Sequence, residues 1–186
     1  MATKIKLAGV RIRFPKLFEA EQFDGQGDYR FSADFLIEKG SALEKQIEAA
    51  VQEEAAATWG KGSDKTLANL RDNNQKCAWQ DGDKTKYDSD DGNMLLCAKR
   101  KEKDGRPLVF DRDKTPLVKD TGRIYSGAYV NATVEVWAQK GQYQGIRCTL
   151  LGVQFYKDGD NFGGASKGKE DDFEELGVED GEDALV

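Results

Sequence analysis

The side chains best suited to chemistry in this chain are cations set among flat rings. Strand-like alternation places Arg11, Arg13, Arg30, Lys99, Lys101 and Arg147 on polar faces together with Tyr129, Trp137 and Tyr143, and Arg100 completes a basic run with Lys99 and Lys101. Trp79, Tyr87 and Tyr125 fall in polar stretches read as loops. A single-stranded nucleic acid presents a line of phosphates and bases whose faces are free, and a groove offering both charge and rings engages both. Stacking contributes about 1–3 kcal/mol per base and tolerates any sequence, whereas duplex DNA hides the faces it needs. The competing reading is that these outward rings pack against a helix, a loop or a partner subunit.

Catalytic alternatives are weaker. The chain has no histidine, which removes Ser-His-Asp and Cys-His triads, His-ligated metals and a histidine base. Carboxylates cluster at Asp81/Asp83, Asp88/Asp90/Asp91 and Asp111/Asp113, but in Gly-rich turns, where Asp is favoured for local backbone hydrogen bonding. Asp88-Ser89-Asp90-Asp91-Gly92 lacks the closing Glu of a calcium loop. There is no G-x-x-x-x-G-K-[ST] phosphate loop, and Cys77, Cys97 and Cys148 are far apart, with no C-x-x-C pair. The expectation is no enzyme, no metal and no cofactor, with the cysteines as small core residues.

The elements that must position the cations and rings are mostly strands. Ile5 and Leu7 alternate with Lys4 and Lys6, then the phase shifts at Ala8-Gly9 so that Val10, Ile12 and Phe14 oppose Arg11 and Arg13. That shift predicts a β-bulge and a bent strand, ended by Pro15. Tyr29, Phe31, Ala33, Phe35 and Ile37 predict a second strand. Ser41-x-x-Glu44 is a capping box opening a helix with Leu43, Ile47, Val51 and Ala55 on one stripe, and a short helix is expected around Asp64–Leu70. The polar stretch 72–93 reads as a functional loop. Met94–Lys101, Pro107–Phe110, Ala128–Ala138 and Gln142–Tyr156 complete the strands, the last two joined by a tight turn at Lys140-Gly141. Five or six strands, several glycine-bent, with an inserted helix, predict a mainly β fold. The leading architecture is an oligonucleotide/oligosaccharide-binding (OB) barrel of five or more antiparallel strands, with a β-sandwich as the alternative.

Charge divides the chain. Of 186 residues, 38% are hydrophobic and 33% charged, and the formal net charge is −6. Nine acids lie after residue 169, namely Glu170, Asp171, Asp172, Glu174, Glu175, Glu179, Asp180, Glu182 and Asp183, with no Lys or Arg among them. Residues 1–169 are therefore mildly basic, with 28 Lys and Arg against 25 Asp and Glu. The expected organisation is a nucleic-acid-binding domain over 1–162, a flexible Gly/Ser/Lys linker over 163–169 and a disordered acidic tail over 170–186. The tail reads either as a solubility device or as a tethered polyanion contending for the basic groove of its own body. No stretch of about 20 apolar residues is present, so no membrane helix is expected. The start lacks a signal-peptide pattern, and an intracellular location is expected.

These motifs together resemble a family of phage-encoded single-stranded-DNA-binding proteins. The resemblance runs in order through Val10–Phe18, Tyr29–Ile37, Asp81-Gly82-Asp83-Lys84, Ile124–Ala132, Gly152–Gly159 and Asp171-Asp172-Phe173. It implies an OB-fold body that binds single-stranded DNA during bacteriophage DNA replication and recombination, in the cytoplasm of the infected bacterial host. It also implies an acidic tail that regulates binding and contacts replication or recombination proteins; on the single-strand-binding reading the tip, Ala184-Leu185-Val186, is expected to be a docking point for them. A homo-oligomer is compatible with this reading. The rival is a phage assembly or decoration protein with a β-sandwich body, its rings forming a subunit interface; a metal-dependent nuclease ranks last.

Overall fold

The computed structural model describes residues 2–162. The linker and acidic tail expected over 163–186 lie outside the described residues.

Seven strands form one sheet: β1 (Thr3–Phe23), β2 (Gln26–Glu38), β3 (Trp79–Asp81), β4 (Asn93–Lys101), β5 (Leu108–Phe110), β6 (Tyr129–Gln139) and β7 (Gly145–Lys157). Their order is β3-β4-β2-β1-β6-β7-β5, and β4 also pairs with β7 in parallel through Lys99 and Thr149. That rung joins β1, β2, β4, β7 and β6 into a closed five-stranded OB barrel, so the β-sandwich alternative does not hold. The short β3 and β5 extend the edges of β4 and β7.

The barrel closes because its strands bend where the sequence permits it. The ladder between β1 and β6 shifts register between Leu7 and Val10, around Gly9 at φ +61°, as the phase change predicted. The Gly9 N–H there bonds the Asn131 side-chain oxygen at 2.8 Å. Pro15 does not end β1. A second register shift, between Arg13 and Lys16, absorbs it at a place where the missing N–H breaks no rung. Phe14, expected inward, instead takes a positive φ of 49°, leaves its ring exposed and donates its N–H to Ser126 Oγ at 2.8 Å.

Inside the barrel lie Ile5, Leu7 and Ile12 of β1, Phe35 of β2, and Val130, Val134 and Leu150 from β6 and β7. Two helices follow β2: α1 (Ala42–Trp59) and α2 (Ser63–Leu70). Ser41 caps α1, its Oγ accepting from the Glu44 N–H at 3.1 Å. Ile47, Val51 and Ala55 bury the predicted stripe against the core, Leu43 packs at its margin, and α1 lies against β6, β1 and β2. The Trp59 indole N–H reaches the Gln139 carbonyl at 3.2 Å and ties the helix end to β6.

The stretch 72–93 is not an open loop. Cys77 and Ala78 are buried, and Trp79 opens β3 with 1% exposure, paired with Leu96. A Trp can sink this far when its N–H finds a partner. Here Trp79 Nε1 donates to Glu48 Oε2 at 2.9 Å, and Glu48 is in turn ion-paired with Arg71. Placing Trp79 on a binding loop is therefore corrected: its ring belongs to the core. The turn between β6 and β7 is also wider than expected, with a single 3-10 turn over Gly141–Tyr143 in place of a two-residue hairpin.

Candidate nucleic-acid interface

The outward residues of β2 and β4 alternate with the core set and meet on adjacent rungs. Arg30 pairs with Lys101 and Ser32 with Lys99, while Lys99 also faces Thr149 of β7. On β6 and β7, Trp137 pairs with Arg147 and Glu135 with Thr149. Trp137 Nε1 donates to Thr149 Oγ1 at 3.0 Å, which fixes the indole on this outer surface. Strand register thus gathers Arg30, Lys99, Lys101, Trp137 and Arg147 into one strip across four strands. Lys99 and Arg30 are solvent-exposed, and Lys101 is partly drawn off by Asp28 at 2.8 Å.

The loop at one end of the strip is built by Arg147. Its guanidinium donates to Gln139 Oε1 at 3.2 Å, to the Gln75 carbonyl at 2.6 Å and to the Tyr143 carbonyl at 2.9 Å. These bonds hold the 140–144 loop so that the Tyr143 ring projects with 66% exposure. Burial, and then the nearby Arg30 charge, lower the Arg147 pKa from its ordinary value. Desolvation disfavours the charged guanidinium, and a like charge nearby adds to it, while Asp28 offsets part of the charge at the Arg30 and Lys101 end of the strip. In OB folds, oligonucleotides bind the face of the second and third barrel strands and the loops flanking it. Here those are β2, β4, the Phe23–Gln26 turn and the 140–144 loop.

The remaining sequence-selected residues lie elsewhere. Arg100 caps the turn after β4, donating to the carbonyls of Gly105 at 2.7 Å and Asp104 at 2.6 Å. Arg11 donates to the Gly127 carbonyl at 3.1 Å and the Asp160 carbonyl at 2.5 Å, and stacks 4.0 Å from the Phe162 ring centroid and 5.3 Å from that of Tyr129. The Tyr125 hydroxyl bonds Asp158 Oδ1 and the Gly159 carbonyl. Arg11, Tyr125 and Tyr129 therefore strap segment 158–162 to the barrel. Bare backbone makes this approach feasible, since a Cβ on Gly127 would overlap the Asp160 carbonyl.

Arg13 has the outward phase expected, yet it is only 6% exposed. Asp34 at 3.0 Å and the fully buried Asp90 hold it beneath the 82–92 loop, so its expected place on a solvent face is corrected. Above it the exposed rings of Phe14 and Tyr87 meet edge-on at 5.4 Å, with the Arg13 guanidinium about 5 Å from each. Sequence reasoning selected Tyr87 but missed Phe14, whose exposure depends on the register shift at Pro15. It also missed Tyr29, which shares the inner phase of β2 but sits beyond the barrel mouth, and the hydroxyls of Ser32 and Thr149. Among the described residues no group of three or more Cys, Asp or Glu is arranged to hold a metal ion.

Comparison with known proteins matches this architecture. Residues 3–185 match the model of a family described as "Enterobacter phage Enc34, ssDNA-binding protein". The chain belongs to this family. Protein p50 of Acyrthosiphon pisum secondary endosymbiont phage 1 is 40% identical over 185 residues, which is 98% of this chain and 99% of that one. Among solved structures, the single-stranded DNA-binding protein from bacteriophage Enc34 in complex with ssDNA superposes with a TM-score of 0.70 at 24% identity, covering 86% of this chain and 89% of that one. Bacteriophage T7 gp2.5, a single-stranded DNA-binding protein, gives a TM-score of 0.53 at 15% identity over 100% of both chains. At these identities the solved structures speak to the shared fold, and membership of the Enc34 family rests on the sequence match.

Proposed function

We propose that this Enc34-family chain binds and protects single-stranded DNA without sequence preference, during phage replication and recombination in the cytoplasm of the infected bacterial host. The observation that carries the reading is the strip of Arg30, Lys99, Lys101 and Arg147 flanked by Trp137 and Tyr143 on the face formed by β2, β4, β7 and β6. Its cations follow the phosphate line while its rings receive bases, and nothing in it distinguishes one base edge from another. The chemistry is binding alone. The acidic tail over 170–186 modulates it by contending for the same cations, at an effective concentration of up to about mM set by its tether. Replication or recombination proteins are the expected partners of that tail.

A salt titration of oligo-dT binding tests this, with duplex of equal length alongside. Affinity should fall with log salt at about 0.7 per phosphate contacted, and oligo-dT should be preferred over duplex. Removing residues from about 167 onward should raise affinity at low salt. No gel shift at low salt would refute the reading and favour an assembly role; unchanged affinity after removal would refute the modulation alone.

A further inference from the structure

The outer surface of β1, β6, β7 and β5 carries a second feature, an open groove of about 650 Å³. Leu108, Phe110 and Leu151 form an apolar floor, and Lys4, Lys6 and Lys114 stand around it. Leu108 is 62% exposed. Gly152 shapes the floor, because a Cβ there would lie 3.2 Å from both the Cβ and the carbonyl oxygen of Leu108; bare backbone lets β5 settle on β7. All three lysines are exposed. None has a carboxylate within ion-pair distance among the described residues, and Glu135, opposite Lys4 on the ladder, makes no such pair. Apolar floor plus unpaired ammonium groups suits a peptide in which carboxylates alternate with apolar side chains.

This chain carries such a peptide. Phe173, Leu176 and Val178 are interspersed among its nine terminal acids. The described chain reaches Phe162, stacked on Arg11, and Gln154 of the groove wall lies only eight residues before it. From Phe162 to Phe173 the chain can extend by up to about 36–40 Å, ample to return along the three or so residues of β7 that separate Lys157 from the groove. We propose that the acidic C-terminal segment of this same chain lodges in this groove. Phe173, Leu176 and Val178 cover Leu108, Phe110 and Leu151, and the neighbouring carboxylates meet Lys4, Lys6 and Lys114. The inference goes beyond the proposed function: the tail that contends with DNA for the strip also has a resting place of its own, a peptide site beside the strip. It adjoins that strip, since Leu151 and Thr149 are two residues apart on one face of β7.

The test compares backbone amide NMR shifts of the intact chain with those of a full-length variant whose nine tail acids are replaced by Asn and Gln. The expected differences concentrate at residues 4–6, 108–114 and 151–154, disappear at high salt, and do not change on dilution. A second full-length variant, Lys4→Glu with Lys6→Glu and Lys114→Glu, should lose the same differences while keeping its circular dichroism spectrum. Differences confined to Arg30, Lys99 and Arg147, differences that vanish on dilution, or none at all would each overturn the proposal. Oligo-dT binding measured on the same samples reports separately on the DNA reading.

Discussion

Lys99 of β4 and Thr149 of β7 face each other across the parallel rung that closes the barrel. The same two residues sit at the centre of the candidate DNA strip, with Thr149 Oγ1 receiving the Trp137 indole N–H. Closure and interface are therefore one construction. The backbone of this rung brings β2 and β4 alongside β6 and β7, and the side chains it carries belong to the candidate strip.

Because the rung is made by backbone, replacing the Lys99 side chain should leave the fold intact. Lys99→Ala removes one exposed cation from the strip, and the slope of log affinity against log salt should fall by about 0.7. Salt titrations of the intact chain and the variant measure this directly. An unchanged slope would mean that no phosphate sits on Lys99.

Trp137 should report on the bound strand. Trp79 is buried in the core, and Trp59 is tied to the Gln139 carbonyl at the end of α1, which leaves Trp137 as the indole on the strip. Oligo-dT should quench the intrinsic fluorescence, and Trp137→Phe should abolish most of that quenching while Trp59→Phe preserves it. Trp137→Ala should weaken binding by about 5- to 150-fold, the equivalent of one lost stacking contact of about 1–3 kcal/mol. Quenching that survives Trp137→Phe would place the strand elsewhere on the barrel.

The barrel was legible in the sequence wherever alternation was unbroken. Val130, Ala132, Val134 and Val136 read inward and are inward, and Ser41 with Glu44 marked the start of α1. Legibility failed where long-range partners override local pattern. Nothing near Trp79 announces that Glu48 will receive its N–H, nor does anything near Arg13 reveal that Asp90, far along the chain, will cover it. Phe14 misled for a related reason, since the shift at Pro15 turns it out of phase with Val10 and Ile12. The strip itself combines residues from four strands, so sequence could supply its cations and rings but not their grouping. Arg11, Tyr125 and Tyr129 share that composition but lie apart from the strip, with Arg11 and Tyr125 bonded to segment 158–162 and Tyr129 beside Arg11.

Arg13 is the clearest test of a residue that sequence assigned to binding and structure assigned to support. Its removal leaves Asp34 and the buried Asp90 without their ion-pair partner, and Asp90 with only the hydroxyls of Thr85 and Ser89 among the described residues. Breaking one partner of a buried pair costs about 3–5 kcal/mol, so Arg13→Ala should lower the denaturation midpoint substantially. Under conditions where the variant remains folded, the salt slope of oligo-dT binding should match that of the intact chain. Loss of slope without loss of stability would return Arg13 to the binding set.

Glu48 links pH to stability. Burial pushes its carboxyl up, but donors from Arg71, Gln52 and Trp79 outweigh this, and the net pKa is lowered from its ordinary value. A carboxylate depressed in the folded state binds fewer protons there than in the unfolded chain, so its stabilisation is fully present above the ordinary Glu pKa of about 4.3. It is lost as pH falls through the lower folded value. Glu48→Gln should therefore be less stable than the intact chain at pH 7, with urea midpoints converging below about pH 4. Asp81 and Asp83 are also lowered, chiefly by hydrogen bonds from Lys39, and contribute to acid unfolding of both proteins. The informative quantity is thus the difference between the two midpoints. A difference that stays constant from pH 7 to pH 3.5 would show that Glu48 is not held as a carboxylate beneath Trp79.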